Sequence, residues 1–461
     1  MGKYQAYPEY KDSEVDWVGD IPLDWQVTRL KYVASIFGRI GFRGYTVNDI
    51  VGEGEGAIVL SPSNIVGDKF TLAKTSFLSW QKYYESPEIM VEKNDVLLVK
   101  TGSTYGKSTI VTDVESPMTI NPQMALIKNT TIDPRFLAYL FNSSLIKAKI
   151  DVNNTGSGMP TMTQENINNF PIPRPNSGLD IQIANFLDHE TAKIDTLIEK
   201  QQLLIKLLKE KRQAVISHAV TKGLNPQAPM KDSGVEWLGE VPEHWVVSRI
   251  KNFAKIDSGH TPSRQVEEYW IDCNIPWVSL NDSKTLKVVD YIDDTSNKIN
   301  ELGMANSSAH LLPERSVVFT RDASIGLSAI MSKPMAVSQH LIAWICNDAK
   351  LIPEFLLLIF YAMEKEFERY TFGATIKTIG MDDVRSLSGA FPPQEEQKVL
   401  VEWAFQKMAS LKNGIDKAES VVDLLKERRT ALISAAVTGK IDVRNWQRNR
   451  LTSEDECSDA V

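Results

Sequence analysis

The chain has 461 residues, a formal net charge of −8 and a hydrophobic fraction of 43%. This length is too great for one small domain and predicts two to four modules. The acidic balance argues weakly against a simple nucleic-acid-binding domain, which usually has a basic face, although an average can hide local patches.

Three cysteines, none in a CxxC pair, argue against a disulfide framework or a cysteine-based zinc site and fit a reducing compartment. The polar N-terminal segment lacks the apolar core of a signal peptide. The longest apolar run, about nine residues within 355–363, is too short to span a bilayer. The sequence therefore predicts a cytoplasmic protein without a membrane partner.

The chain contains one long internal repeat. Residues 11–31 (KDSEVDWVGDIPLDWQVTRLK) return as residues 231–251 (KDSGVEWLGEVPEHWVVSRIK). Residues 207–223 (LLKEKRQAVISHAVTKG) return as residues 424–440 (LLKERRTALISAAVTGK). The offset of about 220 residues indicates a duplicated domain with its connector, not a solenoid. The interiors match poorly, which indicates either one frame that carries two different surfaces or drift after duplication.

The first globular module is predicted over residues 1–176, with mixed α and β character. Residues 95–99 have the pattern of a buried strand and residues 136–142 that of a helix. The first long helix is predicted within residues 177–223, because residues 179–222 contain no proline and apolar residues recur at heptad spacing. The positions chosen for its coiled-coil seam are Ile194, Leu197, Leu204, Leu208 and Val215.

The second module is predicted over residues 224–393, with a buried strand at 316–319 and a helix at 355–369. The second long helix is predicted within residues 394–444, with a seam that Gly414 interrupts and a polar, disordered tail over residues 445–461. Its seam positions are Leu411, Ala418, Val421, Leu425 and Leu432. The expected fold is α+β: two tandem modules joined by an antiparallel coiled coil with internal pseudo-two-fold symmetry. The alternative is that each helix packs on its own module.

No segment of the sequence predicts an active site. Residues 101–108 (TGSTYGKS) look like a phosphate loop, but their glycines enclose three residues instead of four, and the matching residues 320–327 lack the lysine. The six histidines lack the spacing of metal ligands, and no serine-nucleophile elbow or amino-methyltransferase tetrapeptide occurs. We therefore expect no catalytic, cofactor-binding or metal-binding residue, although an enzyme with two duplicated lobes is an alternative.

Polar turns and interleaved basic and aromatic residues in each module could face a nucleic acid, because such side chains contact phosphates and base edges. On these residues alone, an ordinary solvated surface is the competing interpretation. The candidates in the first module are Arg39, Arg43, Lys69, Lys74, Lys82, Tyr83, Lys100, Thr101, Ser103, Tyr105 and Lys107. The candidates in the second module are His260, Thr261, Ser263, Arg264, Trp277, Ser279, Asn281, Lys284, Arg321, Asp322, Ser324 and Lys377.

Over residues 11–444 the chain resembles the specificity subunit of a Type I restriction-modification system. The resemblance is carried by the doubled openings 17–25 (WVGDIPLDW) and 237–245 (WLGEVPEHW), the pre-helix segments 170–173 (FPIP) and 391–397 (FPPQEEQ), and the doubled helix ends 209–217 and 426–434. Inside the modules, residues 38–44, 258–263 and 275–279 resemble segments of target-recognition domains.

The resemblance implies two target-recognition domains, each reading one half of a split, asymmetric double-stranded DNA site. The helix pair would set the gap and dock two modification subunits, and restriction subunits would join the complex. S-adenosylmethionine would bind the modification subunit, and ATP and magnesium the restriction subunit, so this chain would hold no cofactor. The alternatives are the two-lobed enzyme and an assembly scaffold that does not touch DNA.

Overall fold

The computed structural model describes residues 4–39, 41, 44–144, 146, 161–371 and 378–447. The candidates Arg43 and Lys377, and most of the predicted tail, lie outside the described residues. The chain divides into two compact units. The first consists of Met1–Gln201 and Ser420–Val461, and the second of Gln202–Glu419. Each unit therefore contains one module and one part of each long helix.

The described residues of the first unit form short strands and three short helices that lead into a long helix. Its strands are β1 (Tyr10–Asp12), β2 (Asp20–Pro22), β3 (Gln26–Arg29), β4 (Ser35–Gly38), β5 (Ile50–Val51), β6 (Gly56–Leu60), β7 (Ile65–Val66), β8 (Lys69–Phe70), β9 (Phe77–Ser79), β10 (Val96–Val99), β11 (Ser108–Ile110), β12 (Met118–Ile120), β13 (Met124–Lys128) and β14 (Pro171–Arg174). Its helices are α1 (Trp80–Tyr84), α2 (Pro134–Asn142), α3 (Gln164–Asn168) and the start of α4 (Leu179–Thr221).

Two four-stranded sheets share an apolar core in the first unit. One has the order β11-β10-β13-β4 and is antiparallel throughout; the other has the order β12-β6-β9-β5, in which β12 and β6 are parallel. Strand β10 is buried on both faces. Leu97 and Val99 pack with side chains of the second sheet, whereas Val96 and Leu98 pack with helix α2 and the long helix. A strand that is covered on both faces has a continuous apolar run, which is why this segment was recognisable in the sequence.

The second unit has a similar composition of elements. Its strands are β15 (Met230–Asp232), β16 (Glu240–Pro242), β17 (Val246–Arg249), β18 (Ala254–Ser258), β19 (Ile275–Val278), β20 (Tyr291–Ile292), β21 (Lys298–Ile299), β22 (Val317–Thr320), β23 (Ser328–Met331), β24 (Ala336–Val337), β25 (Leu341–Cys346) and β26 (Ser388–Phe391). Its helices are α5 (Ser283–Leu286), α6 (Glu301–Ala305), α7 (Pro353–Ala362), α8 (Glu364–Phe367), α9 (Met381–Ser386) and the start of α10 (Gln394–Val437).

The second unit repeats the topology of the first. Its central sheet, β18-β25-β22-β23-β20, corresponds to β4-β13-β10-β11 with one added edge strand. Strand β19 pairs with β24 in parallel, as β6 pairs with β12, and β17 pairs with β26 as β3 pairs with β14. The α+β fold with two tandem modules that the sequence predicts is therefore confirmed. The helix expected over residues 355–369 is divided, because α7 ends before Met363 and α8 begins after it.

Helices α4 and α10 contain 43 and 44 residues. In the first unit the start of α4 packs against the end of α10, and Ile194 and Leu432 lie in one core. In the second unit the end of α4 packs against the start of α10, and Ile216 and Leu400 lie in one core. Farther along the helices, Lys209 forms an ion pair with Glu419 at 3.6 Å. Because the start of one helix packs against the end of the other, α4 and α10 are antiparallel within each unit, as predicted. Helix α10 continues through Gly414, where the missing side chain leaves room for Leu208.

The seam between the helices partly follows the predicted positions. Ile194, Ala418 and Leu432 are buried, but Leu197, Leu204 and Val421 are 47%, 42% and 39% exposed. Next to the latter two, Ile205 is half-buried and Val422 is buried. Both helices carry more apolar residues than one seam needs, so heptad spacing alone does not fix which of two neighbours faces inward. The remaining predicted positions are half-buried: Leu208, Val215, Leu411 and Leu425.

The two repeated segments of the sequence meet at one junction in each unit. In the first unit Gly439, just beyond α10, has φ +73°, and a Cβ atom there would collide with the ring of Pro22 next to the fully buried Trp25. In the second unit Gly223, just beyond α4, has φ +69° and lies against Trp245. A left-handed glycine is the usual end of a helix. The module opening and the helix end recur together because each packs on the other.

Within the described ranges, no helix combines the length and apolarity that a membrane crossing requires.

Candidate nucleic-acid interface

Polar turns collect at one edge of the sheets in the first unit. Residues 61–64 follow β6, residues 100–103 follow β10 and residues 121–123 precede β13. Residues from each of these three turns, together with neighbouring residues, line an open groove of about 590 Å³. The described residues that line this groove carry hydroxyl, amide, aliphatic and lysine side chains, and none of them carries a carboxylate. The groove is therefore locally suited to an anion although the chain as a whole is acidic.

Backbone hydrogen bonds hold these turns together. Lys100 N donates to Gln123 O at 2.8 Å, and Asn121 N donates to Leu60 O at 2.9 Å. Ser61 and Asn64 form a capping box around the short helical turn that follows β6. Main-chain hydrogen bonds thus hold these turns in place, so their side chains can differ in sequence without loss of the backbone arrangement.

The second unit has the same turns at the same edge. Residues 279–282 follow β19, residues 321–324 follow β22 and residues 338–340 precede β25. Arg321 N donates to His340 O at 3.0 Å, and Ser338 N donates to Val278 O at 2.9 Å. By these bonds Arg321 corresponds to Lys100 and His340 to Gln123. The two units therefore have the same backbone arrangement at these turns but carry different side chains on it.

A cation occupies the same position in both units. Burial lowers the pKa of the Lys100 ammonium group, and no described carboxylate forms an ion pair with it. Arg321 Nε is buried and has no hydrogen-bond acceptor among the described residues; Asp322 Oδ1 lies 4.0 Å from it. Because a partly desolvated cation with little compensating charge nearby is unfavourable, a ligand that supplies negative charge would be stabilised at either position.

The segment that looks like a phosphate loop is a hairpin turn. Strand β10 leads into residues 101–107 and β11 leads out, whereas a phosphate loop leads from a strand into a helix. Gly102 and Gly106 have φ +108° and +79°, and the shorter turn of the second unit has Ala323 and Gly326 at φ +62° and +91°. These left-handed residues allow the chain to reverse tightly at the polar edge.

Four candidates lie in the interior. Arg39 is 5% exposed, and its guanidinium group donates to Thr119 Oγ1 and Ile120 O, both at 3.0 Å. Trp277 is 1% exposed and donates to His260 O at 3.2 Å. The other two buried candidates are Tyr83 and Ser279. The polar side-chain groups of Arg39, Trp277 and Ser279 are hydrogen-bonded within the protein, and all four side chains lie beneath the surface.

The remaining described candidates lie at or near the surface. Lys69 forms an ion pair with Asp195 of α4 at 3.4 Å, and Lys82 pairs with Glu85 at 2.9 Å. Tyr105 packs partly against the core. Four further candidates of the first unit are exposed or half-exposed, and all but the first of them line the groove: Lys74, Thr101, Ser103 and Lys107. Those of the second unit are His260, Thr261, Ser263, Arg264, Asn281, Lys284, Asp322 and Ser324.

Several residues at the polar edge were not among the candidates. They are Ser61, Ser63, Asn121 and Gln123 in the first unit, and Gln339 and His340 in the second. The sequence does contain a signal for Ser61, the pattern of a capping box. Residues 61–64 (SPSN) and 279–282 (SLND) both begin with serine and have an amide or acid three residues later. The others precede strands that have no polar pattern of their own.

An arginine of the repeated helix end fixes each module to the helices. In the first unit Arg429 lies 2.7 Å from Asp68, in the turn between β7 and β8, and 2.8 Å from Asp195 of α4. In the second unit Arg212 lies over the ring of Tyr361, whose hydroxyl donates to Asp290 at 2.8 Å. The same helix position thus reaches an aspartate of its module directly in one unit and through a tyrosine in the other.

In the part of the chain that the structure describes, no group of three or more histidine, cysteine, aspartate or glutamate side chains is placed to hold a metal ion.

Comparison with known proteins identifies the family. The model of the Type I restriction modification DNA specificity domain matches residues 22–207 and again residues 242–417. The MjaVIII specificity subunit of Methanocaldococcus jannaschii is 25% identical over 363 residues, which cover 78% of this chain and 81% of that protein. The putative MjaX specificity subunit of the same organism is 22% identical over 458 residues, with 95% and 99% covered.

Solved structures show the same fold. A chain from a type I R-M system matches with a TM-score of 0.70 at 17% identity, covering 91% of this chain and 99% of that chain. The HsdS subunit from Thermoanaerobacter tengcongensis matches with a TM-score of 0.52 at 16% identity, covering 91% and 98%. Since the family model matches both modules and most of the sequence, the chain belongs to the Type I restriction-modification DNA specificity family.

Proposed function

We propose that the chain is the DNA sequence-recognition subunit of a Type I restriction-modification complex. Residues 1–176 and 224–393 are its two target-recognition domains, and each reads one half of a bipartite, asymmetric double-stranded DNA site. The observation that carries the proposal is the polar edge, the set of polar turns that lies at the same edge of the sheets in both units. It comprises residues 61–64, 100–103 and 121–123 in the first unit and residues 279–282, 321–324 and 338–340 in the second. One frame with different side chains on its turns suits two different half-site sequences, because direct readout depends on which donors and acceptors face the bases.

The charge distribution supports DNA contact at these edges despite the net charge of −8. Lys107 lines the groove of the first unit and Lys100 directly precedes its lining residue Thr101. In the second unit, Arg321 and Arg264 lie near the corresponding turns. A few local cations neutralise only a few phosphates, so much of the salt-dependent affinity is expected from the partner subunits.

The long helices, residues 177–223 and 394–444, are the proposed spacer and docking platform. A helix of 43 residues is about 65 Å long. In the second unit α4 exposes Leu203, Leu204 and Leu207, which are 55%, 42% and 51% accessible. Exposed apolar patches of this kind mark protein contacts, and two modification subunits are the proposed partners here.

Catalysis in this complex belongs to the partners. Specificity subunits of Type I systems are non-catalytic, and this chain is a member of their family. S-adenosylmethionine is expected in the modification subunits, and ATP and magnesium in the restriction subunits. Neither the two-lobed enzyme nor the scaffold without DNA contact is favoured by the family match.

Module exchange tests the proposal, and the structure defines where to cut. Strands β3 and β14 pair with each other and close the first module, so residues 26–174 can be replaced as one piece by those of a relative. We expect one half of the methylated site to change while the other half and the gap stay constant. Genome-wide or plasmid-based mapping of methylated adenines gives the readout.

The second module provides the matched control for this exchange. Strands β17 and β26 close it in the same way, so replacement of residues 246–391 should change the opposite half only. A change of both halves by either exchange, or of neither, would show that the modules do not act independently.

A further inference from the structure

A chain of hydrogen-bonded side chains joins three turns at the polar edge of the second unit. Thr261, which follows β18, donates through Oγ1 to Gln339 Oε1. Gln339 Nε2 lies 3.3 Å from His340 Nε2. His340 Nδ1 in turn donates to Asp322 Oδ2 at 2.6 Å, in the turn after β22. The Gln339 amide is therefore held between two partners before any ligand arrives.

The bonding capacity of the Gln339 amide leaves one donor and one acceptor unused. A primary amide has two N–H donors and an oxygen with two lone pairs. Thr261 occupies one lone pair and His340 occupies one N–H. If the amide were turned over, the two neighbours would exchange roles, and one N–H and one lone pair would still remain. The residue is exposed, so both can reach a ligand.

A donor beside an acceptor matches one base edge in the major groove. Adenine presents its N6 amino group as a donor and its N7 atom as an acceptor, whereas guanine presents two acceptors and would place O6 against the amide oxygen. Building on the proposed function, we propose that Gln339 reads an adenine in the half-site of the second module. Thr261, His340 and Asp322 act as positioning residues for its amide.

The first unit has a different side chain at this position. Pro122 lies between Asn121 and Gln123, as Gln339 lies between Ser338 and His340. Proline has no side-chain donor or acceptor, so the contact belongs to the second half-site alone.

The test uses the full chain assembled with its modification subunits and a DNA library randomised in both half-sites. The wild type should require an A·T pair at one position of the second half-site. Gln339→Leu should reduce the preference for that pair by about 10- to 100-fold, because a bidentate contact is lost. Gln339→Glu, which only accepts, should move the preference at the same pair toward cytosine, whose amino group donates.

Variants of Thr261 test the positioning role. Thr261→Val removes one partner of the amide and should weaken discrimination at the same base pair by about 3- to 10-fold, while Thr261→Ser should restore it. A general loss of folding would lower methylation of every sequence and would not act on one base pair.

Gln123→Leu is the matched control, since Gln123 is an exposed glutamine on the corresponding turn of the first unit, and it should leave the second half-site unchanged. An unaltered A·T requirement in Gln339→Leu, or a loss of preference spread over both half-sites, would overturn this inference and leave bipartite recognition intact. A wild-type complex without any sequence requirement would contradict the proposed function and this inference together.

Discussion

Replacement of Trp245 by alanine is expected to lower the free energy of unfolding of the second unit by about 3 to 5 kcal/mol. The indole is fully buried, meets the ring of Phe355 edge-on at 6.4 Å between centroids and donates from Nε1 to Glu396 Oε1 at 3.1 Å. It also lies against Gly223, where α4 ends. The change therefore opens a cavity where α4, α10 and the module meet, and it removes a hydrogen bond as well.

Chemical denaturation combined with amide hydrogen exchange measures this effect. Protection should fall mainly within residues 202–419, the second unit. Trp25→Ala is the mirrored variant, because Trp25 is equally buried at the junction of the first unit. Its loss of protection should fall within residues 1–201 and 420–461 instead. A cost below about 1 kcal/mol, or equal losses in both units for each variant, would contradict the assignment of the junctions.

Replacement of Lys100 by methionine is expected to weaken DNA binding by the assembled complex about 10- to 100-fold. Lys100 directly precedes Thr101, which lines the groove of the first unit, and its ammonium group is partly desolvated and has no carboxylate partner among the described residues. A phosphate can therefore neutralise a charge that the free protein leaves uncompensated. The slope of log affinity against log salt concentration should also fall by about 1, as expected for one lost phosphate contact.

A matched control for Lys100 lies at the other end of the same strand. Lys93 precedes β10 and is exposed, so Lys93→Met removes an equal charge away from the groove. Titration of DNA binding against salt should separate the two variants. An equal loss of affinity in both would mean that net charge matters, and not the position of Lys100.

The burial of Lys100 also makes the free energy of unfolding depend on pH. Its pKa in the folded state lies below the ordinary value of 10.5, so the folded state binds fewer protons than the unfolded state between these two pKa values. The free energy of unfolding should therefore rise with pH across that alkaline window, as Lys100 loses its desolvated charge. At pH 7 the group is charged, so the cost of desolvating that charge is fully present. Lys100→Met should therefore be more stable than the wild type at pH 7 while it binds DNA less well.

Much of the architecture could be predicted from the sequence for physical reasons that are local. The opening segment and the helix end recur because each forms the same junction, and heptad spacing marks the two helices. The direction of individual helix residues could not be predicted in the same way. Leu204 and Ile205 are both apolar, yet the first is exposed and the second half-buried, and that difference depends on tertiary packing.

The candidate interface was predictable where a residue follows an apolar strand. Lys100 and Arg321 were found because they come directly after the continuous runs of β10 and β22. Arg39 has the same chemistry, but its burial depends on Thr119, which lies 80 residues away and which the sequence does not place beside it. Gln123 and His340 could not be predicted in this way, because the backbone bonds that bring them beside Lys100 and Arg321 also join residues that are separated in the sequence.

Mapping of methylated adenines on DNA exposed to the complex of this chain with its modification subunits tests the central claim most directly. The two polar edges, one in each unit, predict a motif with two short blocks of different sequence, separated by a constant number of unspecified base pairs. A single uninterrupted block, or methylation without regard to sequence, would contradict the claim that each unit reads one half of the site.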